Sequence, residues 1–271
     1  DSAKAARAAG ALVLIERGSS HILRQRQTAI EAGTRPPSPH YVERELASYG
    51  AADRLVLLSD FSRRSFLEHG EDPARIEVVP LGVDLSRFTL PEAPPPLPVR
   101  ALVVGVWSRR KGCDLIAPLL ERLPGLSLTH AGTLGDAPLP ESPRFRRVGH
   151  LDHAALALLM REHHLLIFPS RDDGFGMVMA EALASGMRVV ASDASGGPDL
   201  AAIVGAEHVR VVPAGDADAL VDAVAAQVAA IEADPARCAA PRERIAALSW
   251  RGYGKRYDAM LRRLLDARGA A

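Results

Sequence analysis

Two glycine-bearing loops in the second half of the chain hold the residue types that can bind an anionic, hydroxyl-rich ligand. The first, Gly105 to Gly112 (GVWSRRKG), sets Arg109, Arg110 and Lys111 in succession after an apolar run. Forked arginine N–H groups and a compact lysine charge both suit a diphosphate, and Gly112 leaves room for close backbone approach. The string lacks the G-x-x-x-x-G-K-[ST] spacing of a phosphate loop, and it reads equally well as a solvated basic turn. The second loop, Ser170 to Gly186 (SRDDGFGMVMAEALASG), says more. Asp172 and Asp173 precede Gly174-Phe175-Gly176, and a helix follows. Glycines at a helix start expose unpaired backbone N–H groups at the positive end of the helix dipole, a setting for phosphate or ring oxygens.

Asp173 lies in the loop, and Glu181 follows in the second turn of the helix, only about 7–8 Å further along the axis. Helical side chains lean toward the N-terminus, so Glu181 can point at the same cavity. Carboxylates beside a diphosphate repel it, so their economical role is to accept hydrogen bonds from hydroxyl groups. A ligand with phosphates in its middle and hydroxyl-rich rings at either end, such as a sugar nucleotide, meets that demand. One capping carboxylate and one surface glutamate explain either residue alone. They do not explain the apolar neighbours Met179, Ala180, Ala182 and Leu183, which place Glu181 in a buried setting that calls for a partner.

Such loops need strands and helices to hold them. Apolar runs at 11–17, 54–59 and 75–80 read as strands, separated by helices over 19–32, 41–49 and 61–69. Thr89 to Pro98 has five prolines in ten residues and reads as a linker. Beyond it the alternation restarts, with strands at 101–107, 126–132, 165–170, 188–192 and 208–213. Helices are expected at 114–122, 153–162, 177–185, 199–203, 217–233 and finally 253–267, the last with a stripe of Tyr257, Met260, Leu261, Leu264 and Leu265. Strands alternating with helices imply parallel sheets covered on both faces. The second half thus holds about five strands and the first only three.

These strings resemble family 4 glycosyltransferases of the GT-B fold. Pro169 to Gly186 is similar to that family's P-S-x-x-E-G-F-G-x-x-x-x-E-A-x-A-x-G element, with Asp173 where the first glutamate usually stands. Ser192 to Asp199 (SDASGGPD) resembles its Gly-Gly-x-x-Glu turn, with Asp199 one residue early. Val79 to Phe88 (VPLGVDLSRF) and Ala51 to Phe66 (AADRLVLLSDFSRRSF) resemble the segments that precede its interdomain crossing. The resemblance implies an α/β, GT-B-like chain of two Rossmann-like parallel-sheet domains, the N-terminal one incomplete. Residues 1–90 would be the acceptor-side part, 91–98 the linker, 99–250 the nucleotide-sugar domain, and 251–271 a helix packing back on the first. With a typical domain of ~150 residues as the yardstick, roughly a hundred residues would be absent.

By the same resemblance Glu181 holds the ribose, while Asp173 and the amides of Gly174, Phe175 and Gly176 face the donor sugar. Lys111 grips the diphosphate. Val106 stands where the family has an arginine, so Arg109 or Arg110 substitutes. Gly149, in Val148 to His153, contacts the base, and Glu16, Arg17 and His21 are the acceptor-side candidates. The implied enzyme moves a sugar from a nucleoside-diphosphate sugar to an acceptor hydroxyl, with retention and with neither metal nor other cofactor. Its acceptor is a carbohydrate, a lipid or a small molecule. The other reading is a noncatalytic or degenerate sugar-nucleotide-binding protein.

Composition narrows the classes further. Thirty-three Lys+Arg balance thirty-three Asp+Glu, which argues against a nucleic-acid partner. Two cysteines, Cys113 and Cys238, cannot build a disulfide framework and point to a reducing, cytoplasmic compartment. No apolar run approaches the roughly 18 residues of a bilayer span, which leaves peripheral contact with the inner membrane face as the expected membrane association. Asp216-Ala217-Asp218 reads as a helix cap, and the histidine pairs His150/His153 and His163/His164 have no matching ligand set.

Overall fold

The computed structural model describes residues 2–269. Three short strands, β1 (Leu14–Arg17), β2 (Arg54–Leu57) and β3 (Ile76–Val78), pair in parallel in that order. Helices α1 (Ser2–Ala8), α2 (Ile22–Glu31), α3 (Pro39–Ala51) and α4 (Asp60–Leu67) precede or connect them. Local chemistry sets the helix starts. Ser38 caps α3 with Pro39 at its first position, and Ser59 accepts from the Ser62 amide to cap α4.

The second sheet has six parallel strands: β4 (Arg100–Val104), β5 (Ser127–Ala131), β6 (Phe145–Gly149), β7 (Leu165–Phe168), β8 (Arg188–Ser192) and β9 (Val209–Val212), in the order β6-β5-β4-β7-β8-β9. Its faces carry α5 (Ile116–Arg122), α6 (His153–Arg161), α7 (Met177–Ala184), α8 (Gly197–Val204) and α9 (Ala217–Ala233). The chain ends with α10 (Arg242–Ala247) and α11 (Trp250–Gly269). The sixth strand, β6, was not expected. It reads Phe-Arg-Arg-Val-Gly and lies at the sheet edge, half-exposed, so it lacks the continuous apolar run of a central strand.

Helix α11 lies on the first sheet: Met260 and Leu264 are buried in one cluster with Val56 and Val79. Leu265, expected in the same stripe, is 57% exposed because the helix turns that position outward. The proline-rich segment is tied to the second sheet through His164, whose Nδ1 accepts from the Arg100 amide (3.1 Å) and whose Nε2–H donates to the Pro95 carbonyl (3.0 Å). The largest apolar cluster spans both sheets, joining Leu58, Val83 and Phe88 to Phe168, Phe175 and Met179.

Behind β1, His21 is buried and stacks on His69 at 4.5 Å, with Phe66 edge-on at 4.9 Å. Burial, with His69 and Arg17 nearby, pushes its imidazole down to about 4 from 6.5. The folded state therefore holds His21 neutral where the unfolded chain takes up a proton. Stability is complete above about 6.5 and is lost as pH falls toward 4, by on the order of 3 kcal/mol at ~1.36 kcal/mol per pH unit. His130, His163, His164 and His208 are lowered by burial in the same sense. Melting curves between pH 7.5 and 4.5 should show Tm falling steadily, with a shallower slope in His21→Gln. A level Tm would contradict the buried neutral imidazole.

Candidate active site between the two sheets

Strand order reverses between β4 and its neighbour β7, so the loops leaving their carboxyl ends flank a crevice, the usual ligand position in such sheets. Those loops are 105–112 and 170–176. Gly112 has φ 70°, and a Cβ there would lie 2.0 Å from the Pro169 carbonyl oxygen, so only glycine lets the two loops touch. Arg171 locks them: it forks onto Asp114 at 2.7 and 2.9 Å and donates to the Arg109 carbonyl at 2.6 Å. Its own amide donates to the Arg110 carbonyl at 2.8 Å. The Arg109 amide is held by Asp136 Oδ1 at 2.9 Å. Sequence reading found the three cations but missed Arg171, Asp114 and Asp136, which brace them. Asp114 and Arg171 are 57 residues apart, and no local spacing announces the pair.

Between the loops lies a cavity of about 290 Å³, whose lining includes Gly18, Lys111, Phe168, Asp173, Gly176 and Met177. Lys111 and Asp173 form an ion pair, each side chain 18% exposed. The second Asp173 oxygen accepts the Phe175 N–H at 3.2 Å, and Lys111 Nζ sits 5.2 Å from the centre of the Phe168 ring. Gly176, at φ 79°, begins α7 with no side chain capping it, so the helix opens its amide end on this cavity. Glu181, in the second turn of α7, is 7% exposed. Burial pushes its carboxyl up from the usual range, while His153 and Arg87 pull the other way. Arg87 Nη1 donates to His153 Nδ1 at 3.1 Å. Gly149 closes β6 with its carbonyl accepting from Gly132 (2.7 Å), and nothing stands within 4 Å of where its Cβ would be, so it borders open space.

The carboxyl ends of the first sheet face these loops. A Cβ on Gly174 would meet the Gly18 carbonyl at 2.3 Å and Ser19 Cα at 2.5 Å. Ser59 and Ser62 donate to the Gly174 carbonyl at 2.5 and 3.1 Å, and Ser20 donates to the buried Asp172 carboxylate at 2.9 Å. Asp199, at the start of α8, accepts the Asp60 amide at 3.0 Å and so caps α4 from the opposite side of the crevice. Burial raises the pKa of both Asp172 and Asp199. These serines and Asp172 were not singled out from the sequence.

The other expected residues fall elsewhere. Arg110 donates to the Asp172 carbonyl at 2.7 Å, and it lines a second cavity of about 880 Å³ rather than the first. That larger cavity lies between residues 34–41 and the 105–112 loop, with Gln25, Arg35, Ser38, Tyr41 and Ser108 around Arg110. Arg109 is exposed and lines neither. Glu16, Arg17 and His21 line neither cavity: Glu16 accepts from Tyr253 of α11 (3.3 Å), Arg17 pairs with Glu45 (2.8 Å), and His21 is buried as described. Glu16 and Arg17 are consecutive in β1 and so face opposite sides of the sheet, toward α11 and α3, while the backbone of Gly18 and Ser19 meets the crevice.

Among the described residues, no three His, Cys, Asp or Glu side chains gather as a metal site. Asp216 accepts from the Ala219 amide as the cap of α9. Among the same residues no helix is long and apolar enough to cross a membrane. Cys113 is buried, and burial pushes its thiol up to about 12, which leaves it unreactive.

Residues 99–229 match the family model of group 1 glycosyl transferases. A D-inositol 3-phosphate glycosyltransferase of Mycobacterium tuberculosis is 32% identical over 195 residues. The match takes in 64% of this chain but only 41% of that relative, so the chain spans well under half the length of the curated relatives it matches. Among solved structures, sucrose-phosphate synthase of Thermosynechococcus elongatus superposes with a TM-score of 0.70 at 25% identity, over 95% of this chain and 69% of that one. Anabaena HepE, in complex with UDP and glucose, superposes at 0.62 and 16% identity, over all of this chain and 74% of that one, a likeness of fold alone.

Proposed function

We propose, from the premise that residues 99–229 are a group 1 glycosyltransferase domain within a GT-B fold, that the chain binds a nucleoside-diphosphate sugar in the 290 Å³ cavity and transfers the sugar to an acceptor hydroxyl. The observation that carries this reading is the convergence of Lys111, Asp173 and the uncapped start of α7 on one cavity, with buried Glu181 one turn further on. In the proposed reaction the bond between the sugar's anomeric carbon and the diphosphate oxygen breaks, the acceptor hydroxyl oxygen bonds to that carbon on the same face, and the electron pair leaves on the diphosphate, whose oxygen takes the hydroxyl proton. Lys111 and the α7 amides stabilise that growing charge, which is the largest single contribution such a site can make. Asp173 accepts donor-sugar hydroxyls, and Glu181 accepts the ribose diol, whose hydrogen bonds offset the burial of its carboxylate. The stereochemical course is retention, and no divalent cation is required because fixed positive charge does its work.

The acceptor lies in the 880 Å³ cavity beyond the 105–112 loop, where Gln25, Ser38, Tyr41 and Ser108 offer hydroxyl and amide partners. Arg35 and Arg110 outnumber Asp136 in the lining of that cavity and favour an acceptor that carries an anionic group. The Ser20–Asp172, Ser59–Gly174 and Asp60–Asp199 contacts hold the two halves together, which keeps water from the reacting bond.

Calorimetry against ADP, GDP and UDP, followed by product analysis with the matching glucose nucleotides in the presence of EDTA, tests this. The expected result is micromolar binding of one nucleotide and transfer that EDTA leaves intact, with Arg35→Ala raising the acceptor KM about tenfold, the worth of one charged hydrogen bond. Binding without any transfer by the full-length protein would favour a sugar-nucleotide-binding protein instead, and no binding at all would remove both readings.

A further inference from the structure

Asp173 is not an idle acceptor in this structure. One carboxylate oxygen holds the Lys111 ammonium and the other holds the Phe175 N–H, so the side chain sits between a cation and a loop amide as a bound anion would. Neither group is free for a diphosphate while that arrangement lasts. Both members of the pair are largely screened from water, and the Lys111 ammonium also lies over the Phe168 ring. Breaking the pair without replacement leaves a poorly solvated carboxylate with one hydrogen bond, which is costly.

Two kinds of visitor settle that cost differently. A nucleoside diphosphate takes Lys111 onto its phosphate but brings nothing for Asp173 except further negative charge. A sugar nucleotide also takes Lys111, and its hydroxyl groups can donate to the released carboxylate. We propose that the Lys111–Asp173 pair is a specificity device: it makes the site prefer the sugar-bearing nucleotide over the bare nucleoside diphosphate, and so favours product departure after transfer. Asp173 thereby has two states, a counter-ion for Lys111 in the empty site and a hydroxyl acceptor in the loaded one. The inference rests on the glycosyltransferase reading of the cavity.

Binding alone tests it, without turnover. ADP, GDP and UDP, each beside its glucose conjugate, are titrated into the wild-type chain to find the pair that binds. That pair is then titrated into Asp173→Asn. The expected result is that Asp173→Asn binds the bare diphosphate about fivefold more tightly, the scale of one ion pair's net contribution. Its affinity for the glucose conjugate should be unchanged or weaker, so the preference for the conjugate shrinks. In Lys111→Met both ligands should weaken, and Asp173→Asn added to it should bring no gain for the diphosphate. Unchanged or weaker diphosphate binding in a folded Asp173→Asn, with the preference intact, would overturn the inference while leaving the glycosyltransferase reading standing. Should no nucleotide bind the wild type, the reading and the inference fall together. If Asp173→Asn does not fold, Asp173→Ser serves the same comparison.

Discussion

Lys111→Met should lower kcat about 10²–10³-fold, the usual consequence of removing one placed positive group from a developing anion. Among the described residues, Lys111 is the one cation that lines the 290 Å³ cavity. Arg109 is exposed, and Arg110 and Arg171 are committed to the Asp172 carbonyl and to Asp114. No neighbour stands ready to substitute. The side chain is not part of an apolar cluster, so the fold should survive its replacement; the melting temperature should fall, because Asp173 loses its counter-ion, while unfolding stays cooperative. Steady-state kinetics with the donor identified by calorimetry give the number. A loss under about threefold would show that the departing charge is stabilised elsewhere.

Glu181→Gln should do two opposite things at once. Donor affinity should fall about 10–100-fold, because a charged acceptor for the ribose hydroxyls becomes a neutral one. Stability should rise at neutral pH. The sign follows from the raised pKa: burial disfavours the ionised carboxylate more than His153 and Arg87 favour it. A group whose folded pKa is raised contributes stability below its unfolded value and loses it as pH rises through the folded one. The penalty is therefore present at pH 7 and gone once Glu181 is protonated. Glutamine removes it, so the variant's advantage should vanish in acid. Calorimetry measures the affinity, and denaturant unfolding at pH 7 and pH 4 measures the stability. A variant that binds as well as wild type would mean that Glu181 faces no ligand and is only an ill-placed core residue.

Much of the second sheet was legible because its central strands are continuous apolar runs and its loops punctuate them with glycine. Leu165 to Phe168 followed by Gly174-Phe175-Gly176 announces a strand, a turn and a helix start without help from the rest of the chain. Strand β6 did not announce itself, since an edge strand with Arg146 and Arg147 at its middle carries no hydrophobic run. The site divided in the same way. Asp173, Glu181 and Lys111 sit in local strings whose spacing is informative. Ser20, Ser59, Asp172 and Arg171 act through partners 57 to 152 residues away, and only the folded chain brings those together. The acceptor-side expectation placed Glu16, Arg17 and His21 at the crevice because they surround the end of β1. In the structure the backbone of Gly18 and Ser19 takes that place, pressed against Gly174 so closely that no side chain fits between.

The polar contacts between the loops of the two sheets have a common character. Ser20 on Asp172, Ser59 and Ser62 on the Gly174 carbonyl, and Asp199 on the Asp60 amide are polar contacts of loops and helix ends. Each is worth roughly 0.5–1.5 kcal/mol, and they add to the buried apolar cluster that joins Leu58, Val83 and Phe88 to Phe168, Phe175 and Met179 across both sheets.

The most direct measurement is a crystal structure of the protein grown with the nucleoside diphosphate that calorimetry selects. The expected result is density for the nucleotide between the 105–112 loop and the start of α7. Lys111 should have left Asp173 for a phosphate oxygen, and the ribose hydroxyls should stand within hydrogen-bond distance of Glu181. A nucleotide lying elsewhere, or one whose ribose turns away from Glu181 while Lys111 keeps its partner, would contradict the proposed site.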